Sequence, residues 1–482
     1  MPGRRRDREL AAGNWQLAEV LDPSAGWPAF AQTLTAPLPA APLPRRAAPR
    51  RAARRPGTSP WHPASRSADL PRAPESPRAR SVTLGVLLDF VLLLIGLPVL
   101  AAAAYLLVAT LLSARPSPPT PPSATRRFRF VVPAHNESAG ITDTVKSLLG
   151  VEYPRHQFEV VVVADNCSDD TADKARAAGA IVLVRNDSEK RGKGYALDYA
   201  FSETPPEVDA VVVIDADTLV STNLLRAFDA RRSAGALAMQ ADYAVRNPNA
   251  GWRTRLVAIA FGAFHILRSR ARERLRLSCG LRGNGMCFAM SLLREIPHRA
   301  YSVVEDVEYG LRLGESGHRV HYTDEAHVYG EMVTTAAAAN TQRRRWEEGR
   351  KALVRANAGR LLRAGLSQRD RVRFDLGLDL LVPPLSSIAV GAVVGELAGF
   401  GLVLALSAPG LSLAGFGFAL ASVAIYVLRG WTLSGTGLRG LVDLGLAPGY
   451  VAWKIVLRFR KPPRATSEWV RTKREAGNDA PP

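Results

Sequence analysis

Apolar and polar positions divide this chain into three regimes. From Val82 to Leu112 the side chains are almost all apolar, interrupted by Asp89 and Pro98. At about 1.5 Å per residue such a helix exceeds the thickness of a bilayer core, so one tilted or kinked span is expected over 82–112. From residue 126 to about 360, short apolar runs alternate with segments of helical spacing. The runs predict strands over Phe128–Pro133, Phe158–Ala164, Ile181–Val184 and Val211–Ile214. The spacing predicts helices over Ser138–Leu149, Ser168–Ala178 and Lys193–Phe201. Strands and helices in this order build a parallel α/β sheet. From residue 376 to 457 the chain is apolar again, and Leu380–Leu406 and Leu411–Leu428 predict two further spans around the turn Ser407–Gly410. Residues 441–457, with Asp443, Pro448 and Lys454, suit a re-entrant or interfacial helix.

Three of the predicted strands run into polar clusters: Pro133 to Glu137, with His135 and Asn136 between; Asp165 to Thr171; and Asp215-Ala216-Asp217. Ligands of open α/β sheets bind off the carboxyl ends of the strands, so these clusters frame a nucleotide-sized crevice. Asp215 and Asp217 suit Mg2+ or Mn2+ carrying a diphosphate, and an Asp-rich turn is the plainer alternative. Lys193, between two glycines at a helix start, is placed to meet negative charge, or is a solvated lysine at a helix entry. Glu305-Asp306 opens an amphipathic helix with Val307, Leu311 and Leu313 inward; carboxylates there cap the helix or do chemistry. Gly283-Asn284-Gly285 reads as a tight turn. Gln342, Arg345 and Trp346 share one helical face, although with Arg343, Arg344, Arg350 and Lys351 the same stretch reads as a membrane-surface helix. The spacing of His318, His321 and His327 fits no common metal site.

A formal charge of +19 on 482 residues points to an anionic partner, and with the spans present that partner is the bilayer surface; no aromatic-basic module suggests nucleic acid. The three cysteines form no CxxC pair, which fits a reducing compartment. Residues 1–80 are rich in Arg, Pro and Ala and read as a disordered tail, unless the start is misplaced and they are not translated. Residues 114–123 form a stiff Pro-rich linker. The basic tail 458–482 belongs in the cytoplasm by the positive-inside rule, and the domain at 126–360 shares its side. A single first crossing then puts residues 1–80 on the opposite face, against their arginine content.

The motifs VVPAHNE, VVVADNCSDDT, GKGYAL, VIDAD, VVEDVEYGLRL and QRRRW occur in this order over about residues 128–350. Together they resemble the membrane-associated family 2 glycosyltransferases of GT-A fold, the group of cellulose, chitin and hyaluronan synthases and ceramide glucosyltransferase. The resemblance implies a Rossmann-like nucleotide-sugar domain flanked by transmembrane helices and an inverting transfer, usually from a UDP-sugar. It implies donor binding by Pro133, His135, Asn136, Glu137, Asp165, Lys193, Asp215, Asp217, Gln342 and Arg345. A divalent cation would sit on Asp217 and Asp215. Asp306, beside Glu305, matches the catalytic base. Gly283, Asn284, Gly285 and Trp346 match the acceptor side. The acceptor would be a lipid or a growing polysaccharide; single transfer and processive synthesis with export both remain open, as do a partner subunit or a homo-oligomer. A nucleotidyltransferase has no role for QRRRW, and an inactive scaffold need not retain these carboxylates.

Overall fold

The computed structural model describes residues 77–120, 124–332 and 336–449. Residues 1–76 of the predicted tail and the whole basic segment 458–482 lie outside them, while residues 77–80, expected in the tail, open the helix Pro77–Leu111. Eight strands are formed: β1 (Phe128–Ala134), β2 (Phe158–Asp165), β3 (Ile181–Arg185), β4 (Ala210–Val213), β5 (Thr218–Val220), β6 (Ala238–Val245), β7 (Met286–Ala289) and β8 (Val320–Gly330). They make one mixed sheet in the order β3-β2-β1-β4-β7-β6-β8-β5. The four strands expected from sequence are its parallel half, with Phe128 opposite both Phe158 and Ala210. β7 runs antiparallel to both β4 and β6, with Val213 opposite Met286, whereas β6 and β8 pair parallel and β5 antiparallel to β8.

β1 is buried along its whole length because helices cover both faces. Phe130 and Val132 point into one core with Ile141, Val145, Leu148 and Phe228. Their neighbours Val131, Val163, Val211 and Val213 face the other core, with Leu197, Tyr309 and Leu313. Each such side chain contributes about 2 kcal/mol by leaving water, which fixes the register and thereby the place where each strand ends. Two expected helices start later than their spacing suggests, at Ile141 and Thr171. The residues before them, Glu137, Ser138, Asp169 and Asp170, are spent on loop contacts. In the helix Glu305–Glu315 the inward residue of the first turns is Tyr309, whose hydroxyl donates to the Ile296 carbonyl at 2.7 Å; Val307, expected inward, is only half-buried.

Among the described residues three helices are long and apolar enough to cross a bilayer: Ser81–Leu111 within the helix Pro77–Leu111, then Leu385–Leu406 and Leu411–Ser434. Pro98 lies inside the first without breaking it. The second begins at Leu385, not Leu380, because Pro383-Pro384 end a separate helix, Arg371–Leu381, whose Asp375 and Asp379 face the soluble domain. The third runs six residues past its expected end. Ile95, Leu111, Leu397 and Leu404 are two-thirds exposed or more, an apolar outer surface suited to lipid. Inside the bundle, Asp89 of the first helix accepts from the backbone N–H groups of Leu411 and Ser412 at 2.9 and 3.0 Å and from the Ser412 hydroxyl. That carboxylate caps the third helix from a neighbour. Of the interfacial segment expected at 441–457, residues to 449 are described, and a helix spans Gly437–Leu444.

Candidate active site

The crevice lies off the carboxyl ends of β1, β2 and β4. Because Ala134 pairs with Ala164, the loop at 135–137 meets the loop after Asp165. His135 Nδ1 lies 2.8 Å from the Asp165 carbonyl. The Asn136 side chain accepts from Ser168 N at 2.7 Å, and Glu137 N donates to Thr171 Oγ1 at 2.9 Å. Asn136 and Asn166 hold the two loops in left-handed conformations, with φ of 56° and 49°. Asn136 therefore shapes the wall of the crevice with its side chain already engaged. Asp165 is fully buried; its Oδ1 accepts from Arg185 Nη1 at 2.6 Å and Asn166 Nδ2 at 3.1 Å. Its Oδ2 has no hydrogen-bond partner among the described residues. A buried, unfilled acceptor at a strand end is what the N–H of a nucleobase would complete.

Lys193 is the centre of the next group. It opens the helix Lys193–Ser202, and its Nζ donates to Asp215 Oδ1 at 2.5 Å and the Gly283 carbonyl at 2.6 Å while lying 3.7 Å from Glu305 Oε1. Burial opposes its charge, but Asp215 and Glu305 outweigh burial and raise its pKa. Gly194 allows this placement: a Cβ there would lie 2.0 Å from the Ala300 carbonyl oxygen, so the loop before Glu305 rests directly on the helix. Tyr195 and Tyr301 stack across the same seam at 4.2 Å.

Glu305 and Asp306 enter the site from the start of their helix. Burial pushes Glu305 up to about 7, against the pull of Lys193 and with the repulsion of Asp306. Burial also raises Asp306, opposed first by the Val307 N–H bond to its Oδ1 at 2.8 Å and then by Lys193. Two carboxylates and one ammonium thus share a dry recess. Gly283 has φ of +76°, and a Cβ on it would stand 3.4 Å from Asp306 Oδ2 and 3.5 Å from Lys193 Nζ. Asn284 does not face that recess. It is fully buried; its Oδ1 accepts from Asp215 N at 3.1 Å and its Nδ2 donates to Thr218 Oγ1 at 2.8 Å. Expected on the acceptor side, Asn284 instead braces the loop that carries Asp215 and Asp217.

The site fits a divalent cation. Asp215 and Asp217 stand half-exposed after β4, and the Lys193 ammonium already shows that Asp215 is aimed to hold positive charge. The pairing of Thr218 with Gly330 also carries Asp217 toward the exposed Glu331, a carboxylate that sequence reasoning passed over. Gln342, Arg345 and Trp346 lie in the helix Ala336–Ser367, and their side chains fall outside the described residues. The helix itself passes the site, since a Cβ on Gly349 would lie 2.9 Å from Val304, the residue before Glu305. His318, His321 and His327 pair separately with Glu295, Glu273 and Asp242. Among the described residues no three His, Cys, Asp or Glu side chains converge. Arg185, which neutralises Asp165, was also missed; its only sequence signal is a cation at the end of an apolar strand.

Residues 125–349 match the family model described as glycosyltransferase like family 2. Among curated proteins, the probable glycosyltransferase YdaM of Bacillus subtilis is 24% identical over 261 residues, 52% of this chain and 60% of its own length. A beta-monoglucosyldiacylglycerol synthase of Synechocystis is 32% identical over 232 residues, 46% of this chain and 47% of its own. The chain therefore spans about half to three-fifths of the curated relatives it matches. A solved mannosyltransferase of Pyrobaculum calidifontis, in complex with GDP-Man and Mn2+, is 18% identical with a TM-score of 0.44, covering 71% of this chain and 99% of that one. The stretch matched by the family model runs from just before β1 to beyond β8 and so holds the entire sheet and the carboxylates at its edge; over these residues the chain is similar to the family 2 glycosyltransferases.

Proposed function

We propose that the chain transfers a sugar, with inversion, from a nucleotide sugar of the UDP type to a hydroxyl of a membrane-associated acceptor. The observation that carries the reading is the recess in which Lys193 ties Asp215, on the diphosphate side, to Glu305 and its neighbour Asp306, on the acceptor side. A single ammonium spans the distance over which the transferred bond must break and form.

Asp165 receives the base through its unfilled Oδ2, and the loop at Pro133 to Glu137 closes over the nucleoside. Asp215 and Asp217 would hold a divalent cation, whose positive charge would offset the negative charge of the diphosphate and make it a better leaving group. Lys193 adds a second positive charge at the same place. Asp306 takes the proton of the acceptor hydroxyl as its oxygen attacks the anomeric carbon; the bond from that carbon to the diphosphate breaks, and the electron pair leaves with the nucleoside diphosphate. Burial raises the basicity of Asp306, while the Val307 N–H and Lys193 restrain it. The three apolar helices bring the acceptor's lipid part to the domain, which we place on the cytoplasmic face from the arginines and lysines at 458–474.

The test compares wild type with Asp306→Asn in lipid nanodiscs, measuring nucleoside diphosphate release from a panel of nucleotide sugars with Mn2+ or Mg2+ and a membrane lipid extract. Loss of a general base lowers kcat by roughly 10²–10⁴-fold while donor binding persists. An Asp306→Asn variant as fast as wild type overturns the assignment. A single glycosylated lipid marks single transfer, whereas a ladder marks a polymerase.

A further inference from the structure

Between the recess and the membrane helices lies a layer of guanidinium groups. Helix Arg268–Arg274 supplies Arg268 and Arg272, 5% and 4% exposed, and helix Arg371–Leu381 supplies Asp375 and Asp379. Arg268 bonds Asp379; Arg272 bonds Asp375 and lies 3.1 Å from Asp379. Arg350 donates to the carbonyls of Asp379, Leu380 and Val382 at 2.8, 3.3 and 2.9 Å, so its charge meets the negative end of that helix.

Arg282 is the fourth cation; Asp379 and Asp306 act on it through space, but no carboxylate among the described residues is bonded to it. Its Nη2 donates to the Cys279 carbonyl at 3.1 Å, and its guanidinium lies 4.4 Å from the centre of the Phe264 ring. Its Nε is buried without a hydrogen-bond partner among the described residues. Four guanidiniums face two carboxylates, and burial lowers the pKa of Arg282 and of Arg350. Arg282 is only partly exposed, so its charge is poorly solvated and its guanidinium is not fully hydrogen-bonded. Such a site is balanced when an anion enters it.

The position of Arg282 tells which anion. It directly precedes Gly283, the residue in contact with Asp306 and Lys193. Phe264 belongs to the π-helical turn Gly262–Leu267, which the membrane helix Leu411–Ser434 holds through the Tyr426 hydroxyl donating to the Ala263 carbonyl at 2.9 Å. Arg268 flanks the same ring at 4.9 Å and also lies 5.2 Å from Tyr105 of the first membrane helix. Arg282 thus sits where an acceptor coming from the bilayer would bring its headgroup to the base. The donor diphosphate has Lys193 and the paired aspartates, whereas the acceptor side has this one uncommitted guanidinium, whose planar fork matches a phosphate.

We propose that Arg282 binds a phosphate carried by the acceptor, so that the hydroxyl presented to Asp306 belongs to a phosphate-bearing lipid with a glycerol or polyol headgroup and not to neutral diacylglycerol. This inference rests on the glycosyltransferase reading above and is tested without turnover.

The full chain in a neutral maltoside detergent, without donor, is titrated with dioctanoyl phosphatidylglycerol and with dioctanoylglycerol, and binding is followed by calorimetry. Wild type is expected to bind the phospholipid at least tenfold more tightly. Arg282→Gln brings the two affinities within twofold of each other, and Arg282→Lys keeps most of the preference. Equal affinities in wild type overturn the proposal, and this comparison stands even if Arg282→Gln fails to fold. A preference that survives in folded Arg282→Gln overturns it as well. Glycerol 3-phosphate competing as strongly as the phospholipid overturns the lipid source. Because no sugar is transferred in this measurement, an Asp306→Asn variant that stays active would defeat the catalytic reading and leave this result untouched.

Discussion

Replacing Glu305 with Gln separates what this carboxylate does for the fold from what it does for the reaction. Its pKa moves from 4.5 in water to about 7 in the folded chain. At about 1.4 kcal/mol per unit, that shift corresponds to roughly 3 kcal/mol, an upper figure because Gln also gives up the attraction to Lys193. The sign follows from proton counting. Between pH 4.5 and 7 the folded chain keeps a proton that the unfolded chain has released, so stability falls as pH rises through this window. The penalty is absent below it and complete above it. Gln carries no such penalty, so Glu305→Gln should melt with wild type near pH 4.5 and several degrees higher at pH 8, at roughly 2–4 °C per kcal/mol for a domain of this size. Differential scanning fluorimetry in nanodiscs with a chelator present reads this difference without interference from bound cation. Asp306 is raised first by its own burial, which Glu305→Gln leaves in place, so with Mn2+ restored the acid limb of kcat should stay where it is in wild type. A melting difference that stays constant from pH 4.5 to 8, or a variant less stable than wild type at pH 8, refutes the account of Glu305 as a buried carboxylate held at a cost.

Other expectations concern the surroundings of that recess. Gly283→Ala forces a left-handed residue against Asp306 and Lys193, costs about 1–2 kcal/mol in backbone strain, and should lower kcat more than it raises the donor KM in steady-state assays. Arg185→Ala leaves Asp165 buried without its ion partner; breaking such a pair costs about 3–5 kcal/mol, and a weaker donor affinity with a lower Tm is expected by titration and calorimetry. Asp89→Ala removes the cap on the helix Leu411–Ser434 and should lower the Tm by the equivalent of about 1–2 kcal/mol, with donor KM unchanged. Chelation should abolish transfer reversibly, with Mn2+ or Mg2+ restoring it while the melting profile keeps its shape.

The parallel half of the sheet was legible because strands covered on both faces write themselves as unbroken Val and Phe runs, and Val211 to Asp217 shows both the run and its abrupt end. The other half was not. β6 and β8 carry Gln240, Asp242, Thr323 and Asp324, all buried, so their text looks polar. Asp324 is acceptable there because Arg115 and Arg270 reach it, and Asp242 because Tyr322 and His327 do, partners that spacing cannot reveal. The same reason hid the helix Arg371–Leu381, whose Asp375 and Asp379 answer arginines more than a hundred residues earlier. At the site, Asp215, Asp217, Lys193 and Asp306 stand at strand ends and helix starts where a turn, a solvated lysine or a cap is the plainer reading, and only the order of the motifs singled them out. Asn284 could be named but not placed: a turn-like Gly-Asn-Gly gives no sign that the amide turns inward to hold the aspartate loop.

Lys193 also bears on how the chain is made. A nest of carboxylates with no internal cation repels itself and leans on a metal to fold, so its maturation waits for supply. Here the ammonium already bridges Asp215 and Glu305, and the recess is closed around its own counter-charge. The newly synthesised chain can therefore complete its domain before any cation or donor is at hand. With the metal-assisted transfer proposed above, metal supply would then set the rate of reaction and not the yield of folded chain.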